Sequence, residues 1–206
     1  MEAHGGLFEK LMKRMVEYYA RERGGIGWRW QAMDSKNSPA PVGGAKTGKN
    51  PTDRGKRGAK INLLVDQSGA PLSVVLTGAN RHDKVAAIDL IVSVVLKRPA
   101  HKEHLCADKA YDASEVREFA ASEGYTTHIK VNPRKTDSTE LSDQSSQQRD
   151  SHGEPHPARR WVVERTICWL TKRRSLRTRW SKKAENWLAL IQLACAHVLL
   201  NLAVLG

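Results

Sequence analysis

The chain has 206 residues, enough for one domain with a real apolar core. Its 34 Lys and Arg outnumber 22 Asp and Glu, a formal net charge of +12, which points to a polyanionic partner: nucleic acid or an acidic membrane surface. Three cysteines (Cys106, Cys168, Cys195) without a CxxC pair argue against a zinc site or disulfide framework, and the charged N-terminus MEAHGGLFEKLMKRM is no secretory signal.

Residues 6–23 place Leu7, Leu11, Met15 and Tyr18 at helical spacing, and Gly24-Gly25 stops the helix. IGWRWQAMD (26–34) reads as a strand with Trp28, Trp30, Ala32 and Asp34 on one parity. SPAPVGGAKTGKNPTDRGKRG reads as a mobile basic loop, and its glycines lack the GxxxxGK[ST] spacing of a phosphate-binding loop. AKINLLV and PLSVVLT, joined by Asp66-Gln67-Ser68-Gly69, predict a hairpin. DKVAAIDLIVSVVLKR is a predicted helix with Asp83 as N-cap. HLCAD is a short strand delivering Asp108, ASEVREFAASEG a helix with Asp112 and Glu115 in a capping-box pattern, and YTTHIKV a further strand.

Residues 134–157 are polar and low in complexity and predict a flexible insertion. Two helices, 159–178 and 183–204, close the chain. The last stretch, WLALIQLACAHVLLNLAVLG, has the length of a membrane anchor, but Gln192, His197 and Asn201 are expensive in hydrocarbon, so it reads as a helix inside a soluble domain. The order β-β-β-α-β-α-β, loop, α-α predicts an α/β fold, a mixed sheet of about five strands flanked by helices.

Three acids stand at element ends. Asp34 closes the first predicted strand, Asp108 closes the fourth, and Glu164 lies on the helix after the polar insertion. Neighbouring strands of such a sheet bring their carboxyl ends together, and a carboxylate set suits Mg²⁺ or Mn²⁺. Glu164 is the single acid of RRWVVERTICWLTKRRSLRTRW (159–180). Around that helix Val162, Val163, Thr166, Trp169, Leu170 and Leu176 share one side, and Glu164 shares the other with Arg160, Cys168, Thr171 and Ser175. On pattern alone, Glu164 fits equally a helix salt bridge to Arg160 or Arg165.

MDSK around Asp34, GANRHD (78–83), ADKAYD around Asp108 and RRWVVERTICWL around Glu164 resemble the catalytic motifs of bacterial insertion-sequence transposases of the DDE type. The resemblance is specifically to insertion-sequence family five and runs over most of the chain. It implies an RNase H-like catalytic domain at 26–206. Residues 1–25 would be a helix and linker left from an upstream DNA-binding region, in a truncated copy or the downstream frame of a frameshifted product. Asp34, Asp108 and Glu164 become a catalytic and metal-binding triad for two Mg²⁺ (or Mn²⁺) ions, with Asp34 bridging both. Arg160 matches the motif arginine. Pro157 stands where the pattern often has tyrosine, and Thr171 where it often has lysine, with Lys172 one position further. His82 and Asp83 are read as helix capping and local hydrogen bonding, Asp66 as a turn and Asp112 as a cap.

The activity implied is metal-dependent endonuclease and strand-transfer chemistry on double-stranded DNA, at transposon ends and target, by a homodimer or larger synaptic assembly. Such a protein would be cytoplasmic and nucleoid-associated, with no membrane partner. DNA contacts are expected from Arg160, Arg165, Lys172, Arg173, Arg174, Arg177 and Arg179, and from Lys46, Lys49, Arg54, Lys56 and Arg57 in the basic loop. Trp161 and Trp180 are candidates for stacking on flipped bases, whereas Trp169 falls on the core side. Two other readings stay open: a truncated, non-catalytic DNA-binding product that inhibits transposition, and a membrane-anchored basic protein.

Overall fold

The computed structural model describes residues 6–99, 103–130 and 159–206, so the insertion expected at 134–157 lies outside the described residues. The hairpin is the seed of the sheet. β3 (Arg57–Val65) and β4 (Pro71–Gly78) pair antiparallel around the Asp66–Ala70 turn, as their two apolar runs predict. β1 (Trp30–Pro39) lies antiparallel on the other side of β3, and β5 (Glu103–Ala107) lies parallel to β1. β6 (Tyr125–Ile129) then pairs parallel with β5. A two-residue strand, β2 (Gly48–Lys49), extends the β3 edge past the end of β4. The sheet thus has six strands, three long antiparallel ones followed by two parallel ones.

Strand parity divides the core into two layers. Trp30, Ala32, Ile61, Leu63, Leu72 and Cys106 face α1 (Leu7–Glu22), α4 (Trp161–Thr171), the short α5 (Arg174–Arg177) and α6 (Ala184–Leu205). On the opposite face Met33, Leu64, Leu105 and Tyr125 meet α2 (Lys84–Val92) and α3 (Ser114–Ser122). This is the RNase H-like arrangement that the sequence resemblance implies. α1 is built into it: Met12, Val16 and Tyr19 join the same apolar cluster as Trp187, Ile191 and Val198 of α6. α6 meets the length and apolarity of a membrane span, but one of its sides is buried here, leaving Leu190, Leu193 and Leu200 exposed on the other.

Several elements depart from expectation. β1 does not stop at Asp34; SKNSP continues it, with Lys36 opposite Ile61 and Ser38 opposite Ala59 on β3. Ser38 is buried and donates to the Leu176 carbonyl at 3.2 Å, so cross-strand pairing and packing override its poor strand propensity. α2 is shorter than its apolar run. The predicted 159–178 helix breaks after Thr171, whose hydroxyl donates to the Ile167 carbonyl, while Arg173 Nη1 and Arg177 Nε take the carbonyls of Trp169 and Thr171. The break buries Leu176 against β1. The basic loop, expected to be mobile, is tied down: Ala45 N–H donates to Lys182, and Asn50 caps a turn through Thr52 and Gly55.

The hairpin turn is held by one buried carboxylate. Asp66 accepts from the backbone N–H groups of Gly27, Ser68 and Ala70 and from the Tyr19 hydroxyl at 2.9–3.1 Å. It therefore ties α1 and the entry to β1 onto the turn. Burial, with the Asp66 charge behind it, pushes the Tyr19 phenol up to about 12. Asp66→Ala leaves four donors without an acceptor and is expected to cost roughly 3 kcal/mol or more of unfolding free energy. Urea denaturation at neutral pH checks this; a loss under about 0.5 kcal/mol, the range of ordinary surface changes, overturns the assignment.

Candidate active site

β1 and β5 pair at Trp30–His104, Gln31–Leu105 and Ala32–Cys106. Carried two residues further, the same register sets Asp108 opposite Asp34, and neighbouring strands lie about 4.8 Å apart. Asp34 has the parity of Trp30 and Ala32, so it faces the layer that contains α4. Asp108 follows β5 directly in extended conformation and caps a single 3-10 turn, Lys109–Tyr111, by accepting the Lys109 N–H at 2.7 Å. α4 packs Val162, Val163, Ile167 and Leu170 on the sheet and leaves Glu164 exposed on the flank.

Arg160 joins these groups. Its Nη1 lies 2.8 Å from Asp108 Oδ1 and its Nε 2.9 Å from Glu164 Oε1. The helix salt bridge allowed by the sequence is therefore present, and the same guanidinium reaches across to the end of β5. Asp34, half-buried, feels all three groups. Burial raises its carboxyl above the ordinary value, the Ser35 N–H (2.8 Å) and Arg160 oppose the rise, and Glu164 and Asp108 add to it. Three acids from three elements thus share one electrostatic site.

The donor chemistry suits a hard divalent cation: three carboxylates with no sulfur or imidazole among them. Among the described residues no three His, Cys, Asp or Glu already form a ready-made metal-holding group. The countercharge is instead the guanidinium of Arg160, standing where cation charge is needed. The residues fit the ions by charge and donor type, with Arg160 as the stand-in.

Behind Asp34 lies a network that sequence reasoning missed. Ser35 Oγ donates to Asp83 Oδ1 at 2.8 Å, and Lys60 Nζ lies 2.5 Å from the same oxygen and 2.7 Å from the Arg81 carbonyl. Only 8 % of the Lys60 side chain is exposed. Asp83 is thus not the side-chain cap expected for α2; its carboxylate is committed to β1 and β3. His82 is exposed and accepts the Val85 N–H through its backbone. Asp112 is likewise no cap: it pairs with Arg117 Nε at 2.9 Å, and α3 begins at Ser114 without a side-chain cap. Tyr111 is fully buried close by. Burial, then the Asp83 and Asp34 charges, push its phenol far above the usual range. A lysine within the AKINLLV strand run, directly before Ile61, was the available signal for this network.

The expected DNA-contacting cations separate into two groups. Lys172, Arg174, Arg177, Lys46, Lys49, Arg54, Lys56 and Arg57 are exposed. Arg179 must be corrected: it is fully buried, donates to the carbonyls of Ser181, Lys182 and Lys46, and lies over the Trp187 ring, tying the basic loop to the start of α6. Arg165 is occupied too, held between the rings of Trp161 and Trp169 with Nη2 on the Ser68 carbonyl. Arg173 turns to the Trp169 carbonyl and to His197. Trp180 stays exposed, and Trp169 packs partly against the core.

A sheet whose central strands carry acids toward a glutamate-bearing helix defines a carboxylate-centred class of α/β domain. The sequence comparisons narrow it. A family model described as the transposase DDE domain matches residues 29–199. The transposase assigned to insertion sequence element IS402 of Burkholderia cepacia is 32 % identical over 168 residues, covering 77 % of this chain and 71 % of that protein. The chain belongs to the DDE transposase family, among the bacterial insertion-sequence members. In outline it is also similar to the catalytic domain of Mos1 mariner transposase (TM-score 0.45, 13 % identity, 98 % of this chain and 94 % of that one). A second similarity is to the catalytic core domain of BIV integrase (TM-score 0.43, 14 % identity, 82 % and 83 %).

The raised Asp34 carboxyl has a stability consequence. A carboxyl whose folded value lies above its unfolded one weakens the fold as pH rises from the ordinary carboxylate value, about 3.9, through the raised one. Asp34→Asn is therefore expected to melt higher than wild type in metal-free buffer at neutral pH, the difference vanishing in acid. Thermal melts across pH check it, and identical melting at every pH would contradict it.

Proposed function

We propose that this chain cleaves DNA phosphodiester bonds at the ends of an insertion sequence and joins the freed 3′-hydroxyl to a target phosphorus, displacing the target strand's own 3′-oxygen, as a member of insertion-sequence family five. The observation that carries the reading is Arg160, which bridges Asp108 and Glu164 beside Asp34 and so collects three carboxylates from β1, β5 and α4. Asp34, Asp108 and Glu164 would hold two Mg²⁺ or Mn²⁺ ions. Bound there, such ions activate an attacking oxygen and stabilise the leaving one.

The chain's own residues account for the rest. The Lys60–Asp83–Ser35 network fixes the backbone next to Asp34, and the Ser35 N–H orients the Asp34 carboxylate. Arg160 keeps Asp108 and Glu164 neutralised; once they are otherwise compensated, its guanidinium is free to take a phosphate, for which its fork geometry is suited. No serine, cysteine or tyrosine nucleophile is required, since water or a 3′-hydroxyl attacks. Exposed Lys172, Arg174, Arg177 and the basic loop supply sequence-independent phosphate contacts. The setting is the bacterial cytoplasm, on nucleoid DNA, as a dimer or larger assembly holding two ends.

Asp34→Asn, Asp108→Asn and Glu164→Gln are each expected to lower metal-dependent nicking of a plasmid carrying the element's ends by at least about 10³-fold, in line with loss of transition-state charge stabilisation. DNA binding in EDTA should change little. Full activity in any one variant removes that residue from the site, and a wild-type chain that binds the ends without cutting them is an inhibitor instead.

A further inference from the structure

α6 presents apolar residues on two sides, and the core uses one of them. Trp187, Ile191, Cys195, Val198 and Leu199 are buried against α1, α4 and the sheet. The solvent side carries Asn186, Leu190, Leu193, His197, Leu200 and Val204, all exposed, the four aliphatic ones by 38–62 %. At about 100° per residue the six fall within an arc of about 80°. Their steps alternate 4, 3, 4, 3, 4, the spacing of a two-helix seam. A helix that only covers a sheet has polar residues on this side instead. His197 accepts from Arg173 through Nδ1, which fixes the one ring in the row. From 186 to 206 there is no Asp, Glu, Lys or Arg.

We propose that this row is the docking surface for a second copy of the chain, with the two α6 helices antiparallel. Charge selects that occupant. Two copies at +12 each repel, and this uncharged strip lets their helices meet with no cations opposed. Charge selects the direction too. The start of α6 is basic: Lys182 and Lys183 stand there, and the basic loop is tied to it by the Ala45 N–H on the Lys182 carbonyl. Antiparallel seating puts each basic end beside the uncharged end of the other helix, whereas parallel seating would bring the two basic ends together. The centred register places Leu193 on His197 of the second copy, Leu190 on Leu200 and Asn186 on Val204. Other occupants fit less well. The longest stretch of this chain outside the described residues, 131–158, has only Val131, Leu141 and Ala158 as aliphatic side chains besides its prolines. A lipid surface would press Asn186 and His197 into hydrocarbon. The strip is one helix wide, about 10 Å, and about 27 Å long, well short of the roughly 800 Å² a side of a standard interface. The dimer is therefore reversible, with a dissociation constant of micromolar order.

The inference does not rest on the cleavage reading, and neither arm of its test involves DNA or a metal. The full chain is sedimented in EDTA at roughly 1 to 100 µM. Wild type is expected to pass from monomer to dimer as concentration rises. The double variant Leu193→Glu, Leu200→Glu is expected to stay monomeric, at least about tenfold weaker in self-association, with an unchanged far-UV CD spectrum. For the direction, Leu193→Cys and His197→Cys chains with tags of different length are made in a Cys168→Ser background, where the remaining thiols, Cys106 and Cys195, are buried. Oxidised as a mixture they are expected to give the mixed disulfide dimer, roughly tenfold or more above the product of either chain alone. Should the glutamate pair unfold the chain, this cross-linking decides. A wild type that is monomeric at the highest concentration, a dimer that survives both glutamates, or cross-links confined to like chains overturns the proposal. If a monomeric wild type floats with phosphatidylcholine–phosphatidylserine vesicles and the glutamate variant does not, the face binds lipid and the second copy is ruled out.

Discussion

Gathering three carboxylates at one edge of an apolar sheet is unfavourable unless a cation sits among them, and Arg160 is that cation. Its placement depends on everything around it. α4 must lie along β1 so that the guanidinium reaches Glu164 one turn away and Asp108 at the end of β5. β5 must pair with β1 in the register that brings position 108 beside position 34. Val162, Val163, Ile167 and Leu170 hold the helix there by burying against the sheet. The apolar layer thus sets the geometry of the polar site, and the site contributes little to stability in return, because both ion pairs are solvent-exposed.

The same sheet carries polar groups on both faces at the end that bears Asp34 and Asp108. Asp34 looks toward α4, while the neighbouring Ser35 looks toward α2 and reaches Asp83. Lys60, buried in β3, pairs with Asp83 and offsets the cost of holding that carboxylate half-buried against the sheet. A buried pair of this kind adds little net stability over apolar residues of similar volume, although removing one partner alone is costly. Its value here is positional: it anchors the residue whose N–H orients Asp34. Asp66 does the corresponding work at the opposite end of β3, where four donors converge on one buried carboxylate.

The acids and the hairpin were legible because their signals are local or nearly so. Alternating apolar runs around Asp-Gln-Ser-Gly specify β3 and β4 directly, and the 74-residue spacing of Asp34 and Asp108 matches the spacing of the Trp30–His104 pair in the sheet. What escaped depends on tertiary context. SKNSP has weak strand propensity, and its pairing with β3 decides that β1 continues past Asp34. Asp83 and Asp112 both stand where a cap belongs, yet each finds a cationic partner elsewhere, Lys60 and Arg117. The break after Thr171 follows from side chains that seize carbonyls and from the burial available to Leu176.

A count of cations also misleads about their use. Among the residues flanking Glu164, Arg160 is spent on two carboxylates, Arg165 on two tryptophans and a carbonyl, Arg173 on Trp169 and His197, and Arg179 on three carbonyls. Arginine suits such duties because its planar, weakly hydrated fork satisfies several acceptors at once and stacks on aromatic rings. The lysines of the basic loop and of the α4 end, by contrast, stay at the surface: Lys46, Lys49, Lys56 and Lys172 are all exposed. The basic helix is therefore part scaffold and part exposed cationic surface. The exposed share, Lys172, Arg174 and Arg177, is concentrated where α4 breaks.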